Sequence, residues 1–193
     1  MNCLIWRLHT EETMMDRSHC PKCQHKIAWY DNIPLFSYLF LLGKCRHCKK
    51  KISLQYPVVE FVVGALFVLA FYVEFTKSYY QFDFIFGGQL LALDYNLLSL
   101  VIRDWLIISI MTIVFIYDLR WYLILDKVMI PSAIVVLLFN FYLGYLAGDP
   151  WNNLWNLFIS GIIGGSFFLI QFIVSRGKWI GGGDLRLGFL MGL

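Results

Sequence analysis

Val128–Gly148 reads VMIPSAIVVLLFNFYLGYLAG, and just beyond it Trp151–Ser175 reads WNNLWNLFISGIIGGSFFLIQFIVS; neither contains an Asp, Glu, Lys or Arg. Crossing a hydrocarbon core takes about 20 residues of helix, so each run is long enough to span a bilayer. The composition agrees: 59% of the chain is apolar and 15% charged, against roughly 45–50% and about 25% in a soluble domain.

Working outward, Pro57–Val73 is apolar except for Glu60, whose carboxylate either stays in the interface or meets other helices. Leu97–Tyr117 is long enough but carries Arg103 and Asp104, so either its helix starts near Trp105 and is short, or these two pair with each other. Phe84–Ile102, interrupted by Gly87-Gly88 and Asp94, is an optional further crossing. The expected fold class is an all-α polytopic membrane protein with about four to five transmembrane helices.

Nine of the sixteen Lys/Arg precede residue 52. Beside membrane spans such a concentration marks the cytoplasmic side, and a nucleic-acid partner is not expected. Residues 1–56 therefore read as a basic cytoplasmic module and residues 57–193 as the membrane domain, in contact with lipid. Counting crossings outward from that module places Asp118 and Asp184 on the cytoplasmic side with Arg120, Lys127, Arg176, Lys178 and Arg186, and leaves mainly Lys77 with Asp83, Asp94 and Asp149 opposite. Two full spans separate Asp118 from Asp184, so they share a face whether or not Phe84–Ile102 crosses.

Cys20-Pro-Lys-Cys23 and Cys45-Arg-His-Cys48 form two C-x-x-C knuckles at a spacing close to that of zinc ribbons, which set four thiolates around one Zn²⁺. Disulfides or redox chemistry are the alternatives, disfavoured by a cytoplasmic location and by the presence of a second matched knuckle. Four cysteines complete a closed structural site, so the metal organises without catalysing, and His19, His25 and His47 read as surface residues. Cys3 is unmatched.

Asp118 ends an apolar run, and Asp184 closes Gly181-Gly182-Gly183-Asp184. Each is either a helix cap or a functional acid. The glycines let the backbone bend and let another chain approach closely, as a site for an extended peptide requires. Two carboxylates held close share one proton, giving a general base and a general acid for attack of water on an amide. Asp126 is a rival partner, although its place before Val128 and Pro131 suits a helix start or a supporting role.

These motifs together resemble the bacterial prepilin peptidases, or type IV leader peptidases, membrane aspartyl proteases of the GxGD kind. The resemblance runs through Arg17–Cys23, Asn32–Tyr38, Gly43–Cys48, Ile52-Ser53, Tyr56–Glu60, Asp118 with Asp126 and Pro131, and Gly181–Leu187. It implies cleavage of the basic leader from prepilin-like precursors of pilus, secretion or competence systems, at the cytoplasmic face of the bacterial inner membrane. Asp118 and Asp184 would be catalytic, with Gly181, Gly183, Asp126 and Arg186 supporting the motif, and Cys20, Cys23, Cys45 and Cys48 would be zinc ligands. N-methylation of the new terminus with S-adenosylmethionine is implied by resemblance only. Family members usually begin with a membrane helix, absent before Arg7, and continue past the point where this chain stops after Asp184, so truncation at both ends is expected. The competing expectations are a non-catalytic zinc-stapled membrane assembly protein and, last, a cation carrier.

Overall fold

The structure, a computed structural model, describes residues 2–10, 13, 17–86 and 95–193. In chain order these form α1 (Asn2–Thr10), a 3₁₀ turn (Trp29–Asn32), α2 (Phe36–Phe40), α3 (Gln55–Phe86), α4 (Tyr95–Trp121), α5 (Asp126–Leu146), α6 (Pro150–Ser175) and α7 (Gly182–Gly192). Extended pairing among the described residues is limited to the isolated bridges His19 with Lys26 and Lys44 with Lys51. The all-α expectation therefore holds. Among the described residues, four helices are long and apolar enough to cross a membrane, over Gln55–Lys77, Leu97–Trp121, Asp126–Leu146 and Pro150–Ser175. Gly87, Gly88 and Asp94, on which the optional further crossing turns, lie outside the described residues. The chain forms two compact units, Met1–Leu69 and Ala70–Leu193.

In the first unit, α1 buries Ile5, and the Asn2 side-chain amide donates to the Tyr56 carbonyl at 3.2 Å, tying α1 to the first turn of α3. Glu60 resolves as a contact acid: its Oε2 accepts the Leu35 N–H at 3.1 Å. Leu35 has φ +60° and immediately precedes α2, so an acid on α3 satisfies the backbone where the chain turns into α2. On α2, the buried Ser37 hydroxyl donates to the Tyr30 carbonyl at 2.8 Å and accepts the Ile33 N–H at 3.1 Å, which fastens the 3₁₀ turn to the helix.

In the second unit, α4 is continuous from Tyr95, so its helix does not start at Trp105. Arg103 and Asp104 instead pair with each other at 2.8 Å, compensating two charges within an apolar span. The core is Val114 of α4, Met129 and Val136 of α5 and Leu190 of α7, flanked by Leu106, Ile110, Ile124 and Leu187 among others. Asp149 caps α6 by accepting the Asn152 N–H at 3.3 Å, and Pro150 follows at the first helical position, where its missing N–H costs nothing. Asn140 of α5 donates to the Leu193 carbonyl at 3.0 Å and accepts from Asn153 of α6 at 2.7 Å, so polar groups placed within the spans satisfy one another.

Among the described helices, α6 and α7 share the most extensive contact. Gly161 and Gly165 on α6 and Gly188 and Gly192 on α7 each follow a G-x-x-x-G spacing. A Cβ at Gly164 would run into the Gly188 carbonyl, one at Gly188 would lie 2.7 Å from the Gly164 carbonyl, and one at Gly192 would lie 2.7 Å from Gly161 Cα. Small residues are what allow two helix backbones to meet this closely. Gly188→Leu overpacks that contact, a change that costs about 1–3 kcal/mol or more; thermal unfolding of the detergent-solubilised chain is expected several degrees below wild type. Gly64→Ala, whose added Cβ meets nothing within 4 Å, is expected to melt at or above wild type. Equal melting of all three proteins would refute this account of the α6–α7 contact.

Candidate active site and metal centre

The two cysteine knuckles share one backbone plan. Cys20 N–H bonds the His25 carbonyl at 3.0 Å and Gln24 N–H bonds the Cys20 carbonyl at 2.8 Å; in the second knuckle Cys45 N–H bonds Lys50 at 2.9 Å and Lys49 N–H bonds Cys45 at 3.0 Å. Gln24 and Lys49 occupy the same left-handed position, φ +56° and +55°. Each knuckle thus curls around its own sulfurs, and the Sγ atoms of Cys20, Cys23, Cys45 and Cys48 all lie within 4.8 Å of one another. A tetrahedral ion with bonds of about 2.3 Å sets thiolates about 3.8 Å apart, and Cys20 Sγ to Cys48 Sγ is 4.0 Å. The donor set fits such an ion.

The electrostatics lead the same way. Backbone N–H groups, foremost that of Cys48 and then that of His47, pull the Cys45 thiol down to about 7. At Cys23 the His25 N–H favours the thiolate, but burial and hydrogen bonds with the Cys48 and Cys20 sulfurs outweigh it and push the thiol up to about 11. Four sulfurs in one place cannot all ionise without a cation to hold them.

Arg46, inside the second knuckle, makes a two-pronged ion pair with Asp31 of the 3₁₀ turn, Nε to Oδ2 2.8 Å and Nη2 to Oδ1 2.6 Å. That guanidinium holds the Asp31 carboxyl below the usual carboxylate range. Its charge also lies over the Tyr30 ring at 5.5 Å. Sequence reasoning missed this brace, because nothing in the spacing of Asp31 and Arg46 announces it. The rings of His25 and His47, both exposed as expected, stack on each other at 4.3 Å. Cys3, apart from the cluster, meets the Ser18 hydroxyl at 3.4 Å.

In the second unit, Asp118 lies in the last turn of α4 and is exposed, while Asp184 lies in the first turn of α7 and is half-buried. The N-cap of α7 is Gly181, not Asp184; the Asp184 carboxylate reaches back to accept the Gly181 N–H at 2.9 Å. Two contacts bring this turn to the loop that follows Asp118. A Cβ on Gly183 would lie 2.8 Å from Cβ of Ile124, so glycine is required for the turn to press against the α4–α5 loop. Arg186 forms an ion pair with Asp126 at the start of α5. Of the four positions expected to support the motif, Gly181 is the N-cap of α7, Gly183 permits the approach to Ile124, and Asp126 and Arg186 join α5 to α7. The structure joins the two aspartate-bearing segments, but it does not link the two carboxylates by a hydrogen bond among the described residues. Ile124, the seat for Gly183, was missed; its only signal is an apolar residue in a short loop between two spans.

Residues 1–74 match the family model of the bacterial peptidase A24 N-terminal domain, and residues 105–193 match that of the type IV leader peptidase family. The chain is 35% identical over 180 residues to a prepilin leader peptidase/N-methyltransferase of Vibrio cholerae, covering 89% of this chain and 59% of that protein, so it spans about three fifths of that relative's length. Over 56 residues, 29% of this chain and 21% of the other, it is 54% identical to a type 4 prepilin-like proteins leader peptide-processing enzyme of Escherichia coli. No solved structure matches the chain. A third relative, a prepilin leader peptidase/N-methyltransferase of Klebsiella pneumoniae, is 31% identical over 177 residues, covering 85% of this chain and 68% of that protein. With matches running through both of its units and along most of that relative, the chain belongs to the type IV leader peptidase family.

Proposed function

We propose that this chain carries the machinery of a membrane aspartyl endopeptidase that removes leader peptides from prepilin-like precursors, with Asp118 and Asp184 as its catalytic pair. The observation that carries the reading is the seating of Gly183 on Ile124 together with the Arg186–Asp126 ion pair, which fastens the Asp184 turn to the loop following Asp118. In the proposed reaction one carboxylate takes a proton from water as the water oxygen attacks the scissile carbonyl carbon. The other, protonated, gives its proton towards the departing amide nitrogen as the carbon–nitrogen bond breaks. Exposure of Asp118 and the glycine-bearing turn before Asp184 leave room for an extended substrate. Residues 57–193 form the protease domain in this reading, in the bacterial inner membrane with both aspartates on the cytoplasmic side. That sidedness rests on the basic N-terminal quarter. N-methylation of the product with S-adenosylmethionine has its support in the relatives' names alone.

The metal of residues 1–56 is zinc in this reading, held by Cys20, Cys23, Cys45 and Cys48. Bound there it supplies a structural crosslink with no open position for substrate. The second reading, a zinc-stapled assembly protein without catalysis, draws on the hydrogen bond by which Asp184 caps its own helix.

Asp118→Asn and Asp184→Asn are each expected to abolish cleavage of a prepilin-like precursor in membranes while the protein remains inserted. Cleavage at the wild-type rate by either variant sinks the protease assignment and leaves the assembly reading. Reversing one member of the α5–α7 ion pair, by Asp126→Arg or Arg186→Asp, should lower kcat at least tenfold with little change in KM. The double reversal should recover most of the loss, and a double variant no better than the singles would show that the pair does not position Asp184. For the metal, the purified chain should hold one zinc by elemental analysis, Cys20→Ser with Cys48→Ser should hold none, and Asp31→Asn should release zinc to a chelator several-fold faster. Unchanged release from Asp31→Asn would remove the brace from the account.

A further inference from the structure

The lobe between the knuckles has its polarity reversed relative to a water-soluble domain. On α2, Phe36, Leu39 and Phe40 stand at i, i+3 and i+4 and so share one helix face, and that face is outward: they are 62%, 68% and 83% exposed, while the polar Ser37 is buried and hydrogen-bonded within the lobe. Leu42 and Trp29 of the same lobe are 84% and 81% exposed. None of these residues belongs to the four candidate spans. Large apolar side chains exposed in this number are what a soluble lobe avoids.

The level of this surface is set by the chain itself. The Leu35 N–H bonds Glu60 at 3.1 Å, and α2 begins at the next residue. Glu60 lies five residues into the apolar span that starts at Gln55, which at about 1.5 Å per residue is about 7–8 Å along the span. Interfacial helices seat their apolar faces about 5–10 Å into the boundary between headgroups and acyl chains. The charges complete the match. Lys22, Lys26, Lys44, Lys49, Lys50 and Lys51 are exposed, and the only acid of residues 17–56, Asp31, is already paired with Arg46. An exposed basic surface beside an apolar one suits a bilayer bearing anionic headgroups.

We infer that the exposed face of α2, with Leu42 and Trp29, is a membrane-interface anchor that inserts beside the start of α3 and holds the metal-binding lobe flat against an anionic bilayer. This rests on α3 spanning the membrane and is independent of the protease reading.

The test uses the full chain reconstituted in nanodiscs of phosphatidylcholine and phosphatidylglycerol, with a spin-labelled unnatural amino acid at Phe40 or Leu42 and controls at Phe61 on α3 and at Lys50. Zinc content verifies the lobe's fold in each preparation. Labels at both anchor positions should be relaxed several-fold more by oxygen than by a water-soluble nickel chelate, as at Phe61, with Lys50 showing the reverse. Nickel-dominated relaxation at Phe40 and Leu42 would overturn the inference. Shielding from both agents would overturn it too, showing that a protein surface, in this chain or a partner, covers α2. Aqueous behaviour at Phe61 itself would overturn the span on which the anchor rests, a failure distinct from that of α2 alone and from loss of cleavage activity.

Discussion

Helices surrounded by lipid gain no hydrophobic free energy from meeting one another, since a neighbouring acyl chain is as apolar as a neighbouring leucine. What remains is close packing and the satisfaction of the few polar groups within the spans. The second unit depends on this constraint. Glycines at the α6–α7 contact let the two backbones approach closely enough for dispersion to hold α7 against α6. Asn140 of α5 adds a hydrogen bond to the Leu193 carbonyl, just beyond α7. Asp184 is carried on this helix, and its position follows from a packing surface with no chemistry of its own.

The same helix is fixed at its near end by different physics. Gly183 against Ile124 is a steric fit, and Arg186 with Asp126 is an electrostatic one between two half-exposed side chains. Exposed ion pairs contribute little stability, with a median of about 0–1 kcal/mol. The pair is better understood as selecting one orientation of α7 relative to α5.

The first unit solves a different problem. Its lobe buries little apolar surface, directs Phe36, Leu39 and Phe40 outward, and is organised by two matching knuckles, a clasp from Ser37 and a brace from Asp31 to Arg46. A lobe built this way has a cysteine cluster able to hold a metal ion, and it is continuous with α3 through Asn2 on the Tyr56 carbonyl and Glu60 on the Leu35 N–H. Glu60 illustrates how an acid in an apolar helix need not be catalytic: its work is to satisfy one backbone donor in a turn with positive φ.

The spans were legible in the sequence because hydrocarbon thickness is a length requirement, and Val128–Gly148 and Trp151–Ser175 declare their lengths without any contact being known. The four cysteines were legible for a similar reason, since a knuckle is local and its spacing is its geometry. The sequence also narrowed Asp118 and Asp184 to one face, because any pair separated by two crossings must share one. Only the tertiary structure decided that Arg103 pairs with Asp104 within an unbroken α4, that Asp126 meets Arg186, that Gly183 rests on Ile124, and that α2 turns its apolar face outward. Each of these depends on the direction in which a side chain leaves its helix and on what a second helix places opposite. Periodicity and composition determine which segments exist and which medium each one meets, whereas partners distant along the chain are chosen by packing, which appears only when the helices are placed together.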